Sequence, residues 1–593
     1  MWTYQPPIRD MMFVANELLA VQQDWSLIPQ FKDIDAELLP QILEEAGRFA
    51  SETLVSLNAV GDAQGCSYEL GSVKTPKGFV DAYRRYCDAG WPSLACDKHW
   101  GGQGLPQILN AALYEMLFAT NHGWSMYPGI AHGAYECLRA FATPEIQGIY
   151  LSKIVSGEWL STMCLTEPQA GSDVGLVRTR AEQRTDGSYS LTGSKIFISG
   201  GNQDLTDNII HLVLARLPDA PAGTKGISLF LVPKNITNAD QKVLNGIQCT
   251  GIEKKMGIKG SATCVMNFLG AKGWLIGEPH RGLASMFVMM NSARLYVGLQ
   301  GLGHAEMAYQ NACRYAVERR QMRAVSRPDG GLPPARRDAD PIAFQPSVRK
   351  SLLTMRALIE GERALGFWCA HLLDIADHHP DALRRDEAHG LASILTPIVK
   401  SFFTENGFLL ASAALQIWGG YGYVHEFGIE QTVRDSRIAM IYEGTNEIQA
   451  IDLLVRKVIA DGGTSFQRLL RTIIHEASLS LSTAGCELFG GALLKLHKDI
   501  ARLTQALITE APGNPEQAYA VSADFLRLIG LATIGSLWSR AARIAITRLR
   551  EHFYKSKFET AKFYFDYVLP ESQLRIELIG RRGCTLPWID ENH

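Results

Sequence analysis

The spacing of apolar residues changes twice along this chain, and the two changes limit the folds open to it. Residues 1–157 show helical spacing, as in the segment 36–58 and in the segment 106–120, which opens with a proline suited to a helix start. Residues 158–281 carry short, β-branched or alternating runs, and helical spacing returns from residue 282. The chain is therefore expected to form helical, β and helical regions in that order.

The middle region combines strand-like runs with turn residues. Asp186-Gly187 lies between two of the runs and is a dipeptide typical of a hairpin turn. We therefore predict an antiparallel, all-β domain over 158–281. The runs are Val177–Glu182, Ser188–Leu191, His211–Leu217, Ile227–Val232 and Val265–Leu269.

The region after residue 282 is predicted to hold two helical domains. Asp461-Gly462-Gly463 marks a boundary between them, because adjacent glycines interrupt helices. Residues 282–460 are expected to form a helical bundle, and 461–593 an added helical domain. The bundle segments are 283–320, 345–376, 386–417 and 446–460.

Composition restricts the class of partner and the compartment. The net charge is −3 with no basic block, so a nucleic-acid partner is not expected. The eleven cysteines include no CxxC pair and no zinc spacing, and the histidines show no ligand spacing, so we expect no metal. Scattered thiols, the lack of a signal peptide and the lack of about 18 consecutive apolar residues predict a cytoplasmic protein without a spanning helix.

Two features that resemble functional motifs are better explained by packing. Gly298-x-x-Gly301-x-Gly303 resembles a dinucleotide-binding loop, but no strand precedes it. We interpret these glycines as small residues at a helix–helix contact. His132 and His304 are likewise interpreted as packing residues.

A single carboxylate, Glu443, stands at a tight corner in the stretch IYEGTNEIQ. Gly444 follows it, Thr445 and Asn446 are good helix caps, and helical spacing begins at Ile448. A carboxylate beside a bare amide can take up a proton while the amide stabilises an oxyanion. An ordinary loop glutamate is the alternative, and the stretch by itself favours it.

Three further motifs could face a cofactor. Residues 166–173 (TEPQAGSD) offer hydroxyls and backbone N–H groups, and residues 193–201 (GSKIFISGG) end a strand with an aromatic and a hydroxyl residue. Residues 416–422 (QIWGGYG) follow a helix, and their paired glycines let a phosphate approach the backbone. Residues 166–173 alone also fit an ordinary surface turn.

The four motifs in this order resemble the acyl-CoA dehydrogenase family over roughly residues 35–460. The C-terminal extension, DMMFV near the N-terminus and GWLIGEPHRGL resemble a bacterial subgroup containing broad-range fatty acyl-CoA and 3-methylmercaptopropionyl-CoA dehydrogenases. The resemblance implies an α+β fold: an N-terminal helical domain (1–157), an antiparallel β-barrel (158–281), a four-helix bundle (282–460) and an extra helical domain (461–593). It also implies FAD held between the barrel and the bundle.

The resemblance assigns roles to individual residues. Glu443 matches the catalytic base, and substrate contacts fall on Ser172, Asn291, Arg294 and Gly444. For Arg294 the alternative is a plain surface ion-pair partner. The positions that match FAD contacts are Met163, Leu165, Thr166, Gly171, Ser172, Phe197, Ser199, Arg319, Gln321, Gln416, Gly419, Gly420, Thr445 and Glu447.

The sequence departs from the family pattern at three places. Phe197 stands where Trp or Tyr is common, and Met322-Arg323 replaces a common Phe-Gly. Asn291 replaces a common aspartate near the CoA arm. These departures affect single contacts and leave the expected chemistry unchanged.

The resemblance implies α,β-desaturation of an acyl-CoA thioester in β-oxidation. Glu443 would remove the α-proton, and the flavin N5 would take the β-hydride. An electron-transfer flavoprotein is the expected acceptor. The alternatives are an oxidase that uses oxygen, a 3-methylmercaptopropionyl-CoA dehydrogenase, and a catalytically silent scaffold that binds acyl-CoA or FAD.

The extension 461–593 is expected to give a homodimer in place of a tetramer by filling the place of a second dimer. Its apolar stripe, which includes Phe466, Leu469, Leu470 and Ile473, is typical of core-facing helices. A membrane-surface or partner-docking role is the alternative, although no strongly basic face indicates one. No motif identifies the residues that set acyl-chain length.

Overall fold

The computed structural model describes most of the chain. The contacts within it divide the chain into two compact units, Ile42–Tyr296 and Met1–Gln41 with Val297–His593. The backbone of Asn291 lies in a helix, but its side chain is outside the described part of the structure. The described residues are 2–35, 37–238, 241–328, 339–581 and 586–588.

Helices make up most of the described residues, and strands are concentrated in the middle of the chain. The helices are α1 Ile8–Met12, α2 Gln22–Trp25, α3 Leu38–Arg48, α4 Val55–Gln64, α5 Phe79–Asp88, α6 Gln107–Phe141, α7 Pro144–Val155, α8 Gly282–Glu318, α9 Pro346–His378, α10 Ala382–Trp418, α11 Ile429–Ser436, α12 Asn446–Ile451, α13 Thr464–Leu481, α14 Glu487–Glu510, α15 Pro515–Ala520, α16 Ser522–Ala545, α17 His552–Phe563 and α18 Glu571–Gly580. The strands are β1 Ser67–Glu69, β2 Ser72–Lys74, β3 Trp159–Cys164, β4 Arg180–Gln183, β5 Tyr189–Ser199, β6 Asn208–Arg216, β7 Ile227–Pro233, β8 Asn235–Asn238, β9 Gln241–Leu244, β10 Ile247–Ile252 and β11 Thr263–Ile276.

The order of helical, β and helical regions is confirmed. Helices α8, α9 and α10 match the predicted bundle segments to within a few residues. The elements that were not predicted include the β1–β2 hairpin inside the first helical region and helix α11. Both are too short to show a clear apolar period.

Five strands of the middle region close into a ring. Antiparallel pairings join β5 to β11, β11 to β7 and β7 to β6, while β4 bridges β6 and β5. The predicted β-barrel is therefore present. The predicted hairpin turn at Asp186-Gly187 joins β4 to β5, with the Asp186 carboxylate accepting the Ser188 N–H at 3.1 Å.

Two pairings correct the expectation of a wholly antiparallel domain. Strand β3 lies parallel to β6 over its whole length, and β4 meets β6 in a short parallel bridge. Parallel neighbours need a long connection instead of a tight turn. Strands β4 and β5 lie between β3 and β6 in the sequence and supply it, which apolar spacing does not reveal.

Strand β6 is buried on both faces of the sheet. Val213 and Ala215 pack inside the barrel, and Leu212 and Leu214 pack with apolar residues of α6 and α7. This double burial explains why β6 and β7 read as continuous apolar runs. The barrel is thereby covered by helices of its own unit.

The extension packs closely on the bundle within the second unit. A Cβ on Gly530 of α16 would lie 2.4 Å from the Phe402 ring of α10, and a Cβ on Gly361 of α9 would lie 2.4 Å from Ile534. Only glycine permits these approaches. The same holds for Gly301, where a Cβ would lie 2.3 Å from the Phe403 carbonyl oxygen, so the helix–helix interpretation of this glycine is confirmed.

By their contacts, the N-terminal 41 residues belong to the same compact unit as the bundle and the extension. Buried ion pairs explain the grouping, since Arg363 donates to Asp10 at 2.5 Å and Lys557 also pairs with Asp10. Such long-range pairs leave no periodic trace in the sequence. The domain boundaries at 157, 281 and 460 stay predictions.

Both histidines interpreted as packing residues are buried. Burial lowers the pKa of His304 to about 4 and lowers the pKa of His132 as well, so both rings are neutral near pH 7. Across the part of the chain that is described, no helix has the length and apolar character needed to cross a membrane.

Candidate active site

The corner at Glu443 is built from two consecutive residues in the left-handed region. Glu443 has φ +56° and Gly444 has φ +83°. A non-glycine residue in this conformation is strained, and such strain is concentrated at functional sites. The Gln449 side-chain amide donates to the Glu443 carbonyl at 3.1 Å, which fixes the corner from the following helix. Glu443 itself is partly exposed.

Helix α12 begins at this corner as predicted. The Thr445 hydroxyl accepts the Ile448 N–H at 3.3 Å, which makes Thr445 the N-cap. The Asn446 side chain ties the helix start to α10, where it accepts from Lys400 at 3.0 Å and from Thr404 at 3.1 Å. The base candidate is thus held by a rigid, buried support.

Tyr442 forms the apolar side of the corner. Its hydroxyl donates to the Gln300 side-chain oxygen on α8. Burial raises the Tyr442 pKa well above its ordinary value, and the neighbouring Glu443 charge adds to the effect. Tyr442 therefore stays protonated and serves as a fixed wall beside the carboxylate.

In the other unit, a buried ion pair organises the loop after β3. The Lys195 ammonium donates to Glu167 at 2.8 Å and to the Leu165 carbonyl at 2.9 Å. Burial alone would raise the Glu167 pKa, but the Lys195 charge and a hydrogen bond from Thr179 outweigh it and lower the pKa to about 2. The Ile196 N–H donates to the Thr166 carbonyl at 2.9 Å, so the loop is fastened to β5.

A β-bulge at the end of β5 turns Phe197 outward. Ile196 and Phe197 together oppose Val265 of β11, because the register shifts between Cys264 and Met266. A bulge re-aims a side chain. Phe197 takes φ +59° and its ring is 59% exposed, which is unusual for a large apolar residue in a barrel.

In the unit that carries Glu443, an open groove of 820 Å³ lies at the end of α10. Arg319, Gln321, Gly419 and Gly420 all line it, and the Arg319 guanidinium lies 5.4 Å from the centre of the Tyr421 ring. A Cβ on either glycine would meet open space, so their backbone is accessible to a ligand.

The wall of this groove rests on aromatic residues that sequence reasoning did not single out. Trp418 stacks on Tyr315 with ring centres 4.2 Å apart, and Trp2 also packs against Trp418 with ring centres 6.2 Å apart. The chain around Trp2 is fixed to α8, since Thr3 donates to Asn311 at 3.2 Å and accepts from it at 2.9 Å. Two tryptophans distant in sequence give no local signal of this contact.

The structure places the predicted residues in separate groups. Asn291 and Arg294 lie on α8, and Arg294 is buried, which excludes the alternative of a surface ion-pair partner, while its predicted contact with substrate stays a prediction. Gln416 and Glu447 are exposed, and Gln416 does not line the groove. Barrel-unit residues are Met163, Leu165, Thr166, Gly171, Ser172, Phe197 and Ser199, and residues of the other unit are Arg319, Gln321, Gln416, Gly419, Gly420, Glu443, Gly444, Thr445 and Glu447.

Each group fits part of a dinucleotide flavin. The exposed Phe197 ring beside Ser199 suits a planar ring system. The groove with Arg319 and two open glycines suits a phosphate-bearing nucleotide end. A chain with a helical region, a β-barrel and a second helical region, together with such sites, is typical of flavin-dependent dehydrogenases.

Comparison with known proteins agrees with this class. Family models match as the acyl-CoA dehydrogenase N-terminal domain at 40–158, middle domain at 162–270 and C-terminal domain at 335–458, and as an acetyl-CoA dehydrogenase C-terminal-like domain at 466–586. The chain belongs to the acyl-CoA dehydrogenase family and is an FAD-dependent oxidoreductase. The fold class, cofactor and enzyme class inferred from the motifs are confirmed.

Two relatives align with nearly the whole chain. The 3-methylmercaptopropionyl-CoA dehydrogenase of Ruegeria pomeroyi is 40% identical, with 98% of this chain and 99% of the relative covered. The broad-specificity linear acyl-CoA dehydrogenase of Mycobacterium tuberculosis is 33% identical, with 99% of each covered. The Caenorhabditis elegans protein ACDH-11, solved with C11-CoA, shares the fold at a TM-score of 0.73 and 18% identity, over 98% of this chain and 96% of that one.

Proposed function

We propose that this enzyme desaturates acyl-CoA thioesters to trans-2-enoyl-CoA in fatty-acid β-oxidation, with Glu443 as the base. The observation that carries the proposal is the Glu443-Gly444 corner. Two left-handed residues, a capped helix and the Gln449 amide hold one carboxylate in a strained, partly exposed position. Strained backbone positions are concentrated at active sites, and here the strain falls on a carboxylate that can act as a base.

Glu443 can act only if the charge on the thioester oxygen is stabilised. The α-carbon of a thioester is a weak acid, so the enolate-like charge needs a hydrogen-bond donor in place before the proton moves. The backbone N–H of Glu443 is the donor that we assign to this oxygen. Gly444 lets the thioester come close, because a Cβ there is absent. FAD, when bound, accepts the β-hydrogen as hydride.

The remaining site residues divide by ligand. Ser172, Asn291, Arg294 and Gly444 are proposed to contact the acyl-CoA. Lys195 and Glu167 act indirectly, since they hold the loop that carries Thr166. The proposed FAD contacts are Met163, Leu165, Thr166, Gly171, Ser172, Phe197, Ser199, Arg319, Gln321, Gln416, Gly419, Gly420, Thr445 and Glu447.

The 40% identical relative favours a second candidate substrate, 3-methylmercaptopropionyl-CoA. The type of desaturation is the same for both substrates, because the α-carbon loses a proton and the β-carbon a hydride, although in 3-methylmercaptopropionyl-CoA the β-carbon carries the methylthio sulfur. We further propose a cytoplasmic homodimer that passes electrons to an electron-transfer flavoprotein.

A survey of acyl-CoA thioesters tests this function. The FAD-loaded enzyme is mixed anaerobically with linear acyl-CoAs and with 3-methylmercaptopropionyl-CoA, and loss of flavin absorbance is followed. Bleaching by at least one substrate, with turnover on a dye or flavoprotein acceptor, is expected. Rapid turnover with oxygen and stoichiometric peroxide would instead establish an oxidase, and bleaching by none would contradict the proposal.

A further inference from the structure

The C-terminal extension forms a second groove, of 890 Å³, that the proposed function does not use. Its sides come from α13 and α16, with contributions from Leu19 near the N-terminus and from Trp368 on α9. No residue of the proposed active site lines it. Small-molecule sites commonly have volumes of roughly 300–1,000 Å³, so the size suits a ligand.

Four arginines line this groove, and three of them are neutralised by neighbours. Arg468 pairs with Asp386 at 2.7 Å, Arg471 with Glu387 at 3.5 Å, and Arg543 with Glu476. Arg540 is the fourth arginine that lines the groove.

The Arg540 side chain makes no hydrogen bond and no ion pair with any residue in the described ranges, and it is partly buried. Burial lowers its pKa, and the charge of Glu476 opposes that effect only in part. The Glu476 carboxylate already accepts a hydrogen bond from Arg543, so Arg540 keeps its own N–H donors for a further anion, and such a cation in a cleft is a functional-site candidate. The Nε of the adjacent Arg543 is also buried without an acceptor in this part of the structure.

Apolar side chains lie on the same groove wall. Leu537 is buried at the base, and Leu479 is 40% exposed at the rim. Ile544, Leu19 and Trp368 add further apolar surface. The groove therefore combines a cation whose side chain makes no hydrogen bond within the described residues with a surface suited to a hydrocarbon chain.

The acidic lining indicates the charge of the ligand. Glu17, Glu387 and Glu476 also face the groove, and they would repel a dianion such as phosphate more than a monoanion. Arginine binds a carboxylate through paired N–H donors.

We propose that this groove binds an aliphatic carboxylate, with its head group on Arg540 and its chain over Leu537 and Leu479. The ligand is a free fatty acid or a molecule with the same carboxylate and chain. The site is separate from the residues proposed for catalysis, so it offers the enzyme a means of sensing free acid.

Calorimetric titration of the full-length, FAD-loaded enzyme with decanoate tests the proposal. A saturating decyl-CoA thioether is included so that the catalytic pocket is filled. Binding of one decanoate per chain is expected, with at least tenfold weaker binding of acetate and of inorganic phosphate. No decanoate binding, loss of binding in the thioether, or equal binding of phosphate would each overturn the proposal.

Substitutions in the groove test whether decanoate binds there. Arg540→Gln is expected to weaken decanoate binding at least tenfold, and Arg540→Lys to retain part of it. Arg550→Gln removes the same charge at an exposed position just beyond α16 and should leave binding unchanged. If Arg540→Gln fails to fold, Leu479→Asn at the exposed rim should weaken decanoate but not acetate. Unchanged decanoate affinity in the folded variant would refute the assignment.

Discussion

At Gly444 a methyl group would stand 2.7 Å from the side-chain nitrogen of Gln449. Gly444→Ala therefore adds a clash to the left-handed strain of about 1–2 kcal/mol. We expect a lower Tm and at least a tenfold slower flavin bleaching by substrate. Gly462→Ala is the control, because Gly462 has φ +64° but open space around it. This variant should lower the Tm through backbone strain alone and should leave the rate of flavin bleaching unchanged. Equal bleaching rates would contradict the role of this corner.

Removing Lys195 would leave the Glu167 carboxylate buried without its partner. Lys195→Met is expected to destabilise the barrel by about 3–5 kcal/mol, and adding Glu167→Gln should recover much of this loss. Urea unfolding followed by fluorescence measures the free energy of unfolding of the single and the double variant. Failure of the double variant to recover would show that Lys195 acts through packing alone.

The same ion pair predicts a pH dependence. The pKa of Glu167 falls from 4.5 to about 2 on folding. Its contribution to stability is therefore complete above pH 4.5 and is lost as the pH falls toward 2. Stability differences between wild type and Glu167→Gln should shrink over this window, and a constant difference would contradict the assignment.

Glycine and helix caps leave a local pattern that singles out Glu443 and Gly444, and the family resemblance then assigned the role of base to Glu443. Sequence reasoning did not reach Gln449 as the residue that holds the corner, nor Lys195 as the partner of Glu167. These roles depend on which side chains meet after folding, and the residue types alone do not specify them.

At the scale of elements, the N-terminal segment supports the groove at the end of α10. Trp2→Ala should loosen Trp418 and weaken FAD binding to the apoenzyme several-fold, measured by flavin fluorescence quenching. Trp588→Ala is the matched control, because Trp588 is 94% exposed. If both variants bind FAD like the wild type, the segment does not support the cofactor groove.

Apolar spacing located the long helices and the strands of the barrel, since the helices bury a regular face and the doubly buried strands β6 and β7 form continuous apolar runs. It could not give the parallel pairing of β3 with β6, because pairing depends on which strands become neighbours. The bulge that exposes Phe197 is likewise a property of two strands together.

At the scale of the whole molecule, the extension covers apolar surface of the bundle. A chain ending at residue 460 would uncover Phe402 and remove Arg527, which donates to Asn406 at 2.6 Å. We expect this chain to aggregate in sedimentation experiments, whereas a chain ending at residue 585 keeps α18 and should sediment in the same oligomeric state as the full-length chain. A soluble, dimeric 1–460 chain would show that the extension is not needed for packing.

The most direct test of the central claim is stopped-flow bleaching of the flavin by acyl-CoA in Glu443→Gln. Glu182→Gln, an exposed change of the same kind on β4, is the control. The variant at residue 443 should retain FAD and bind substrate, while bleaching falls by at least a thousandfold because no carboxylate takes the α-proton. Bleaching at the wild-type rate in Glu443→Gln would contradict the assignment of Glu443 as the base.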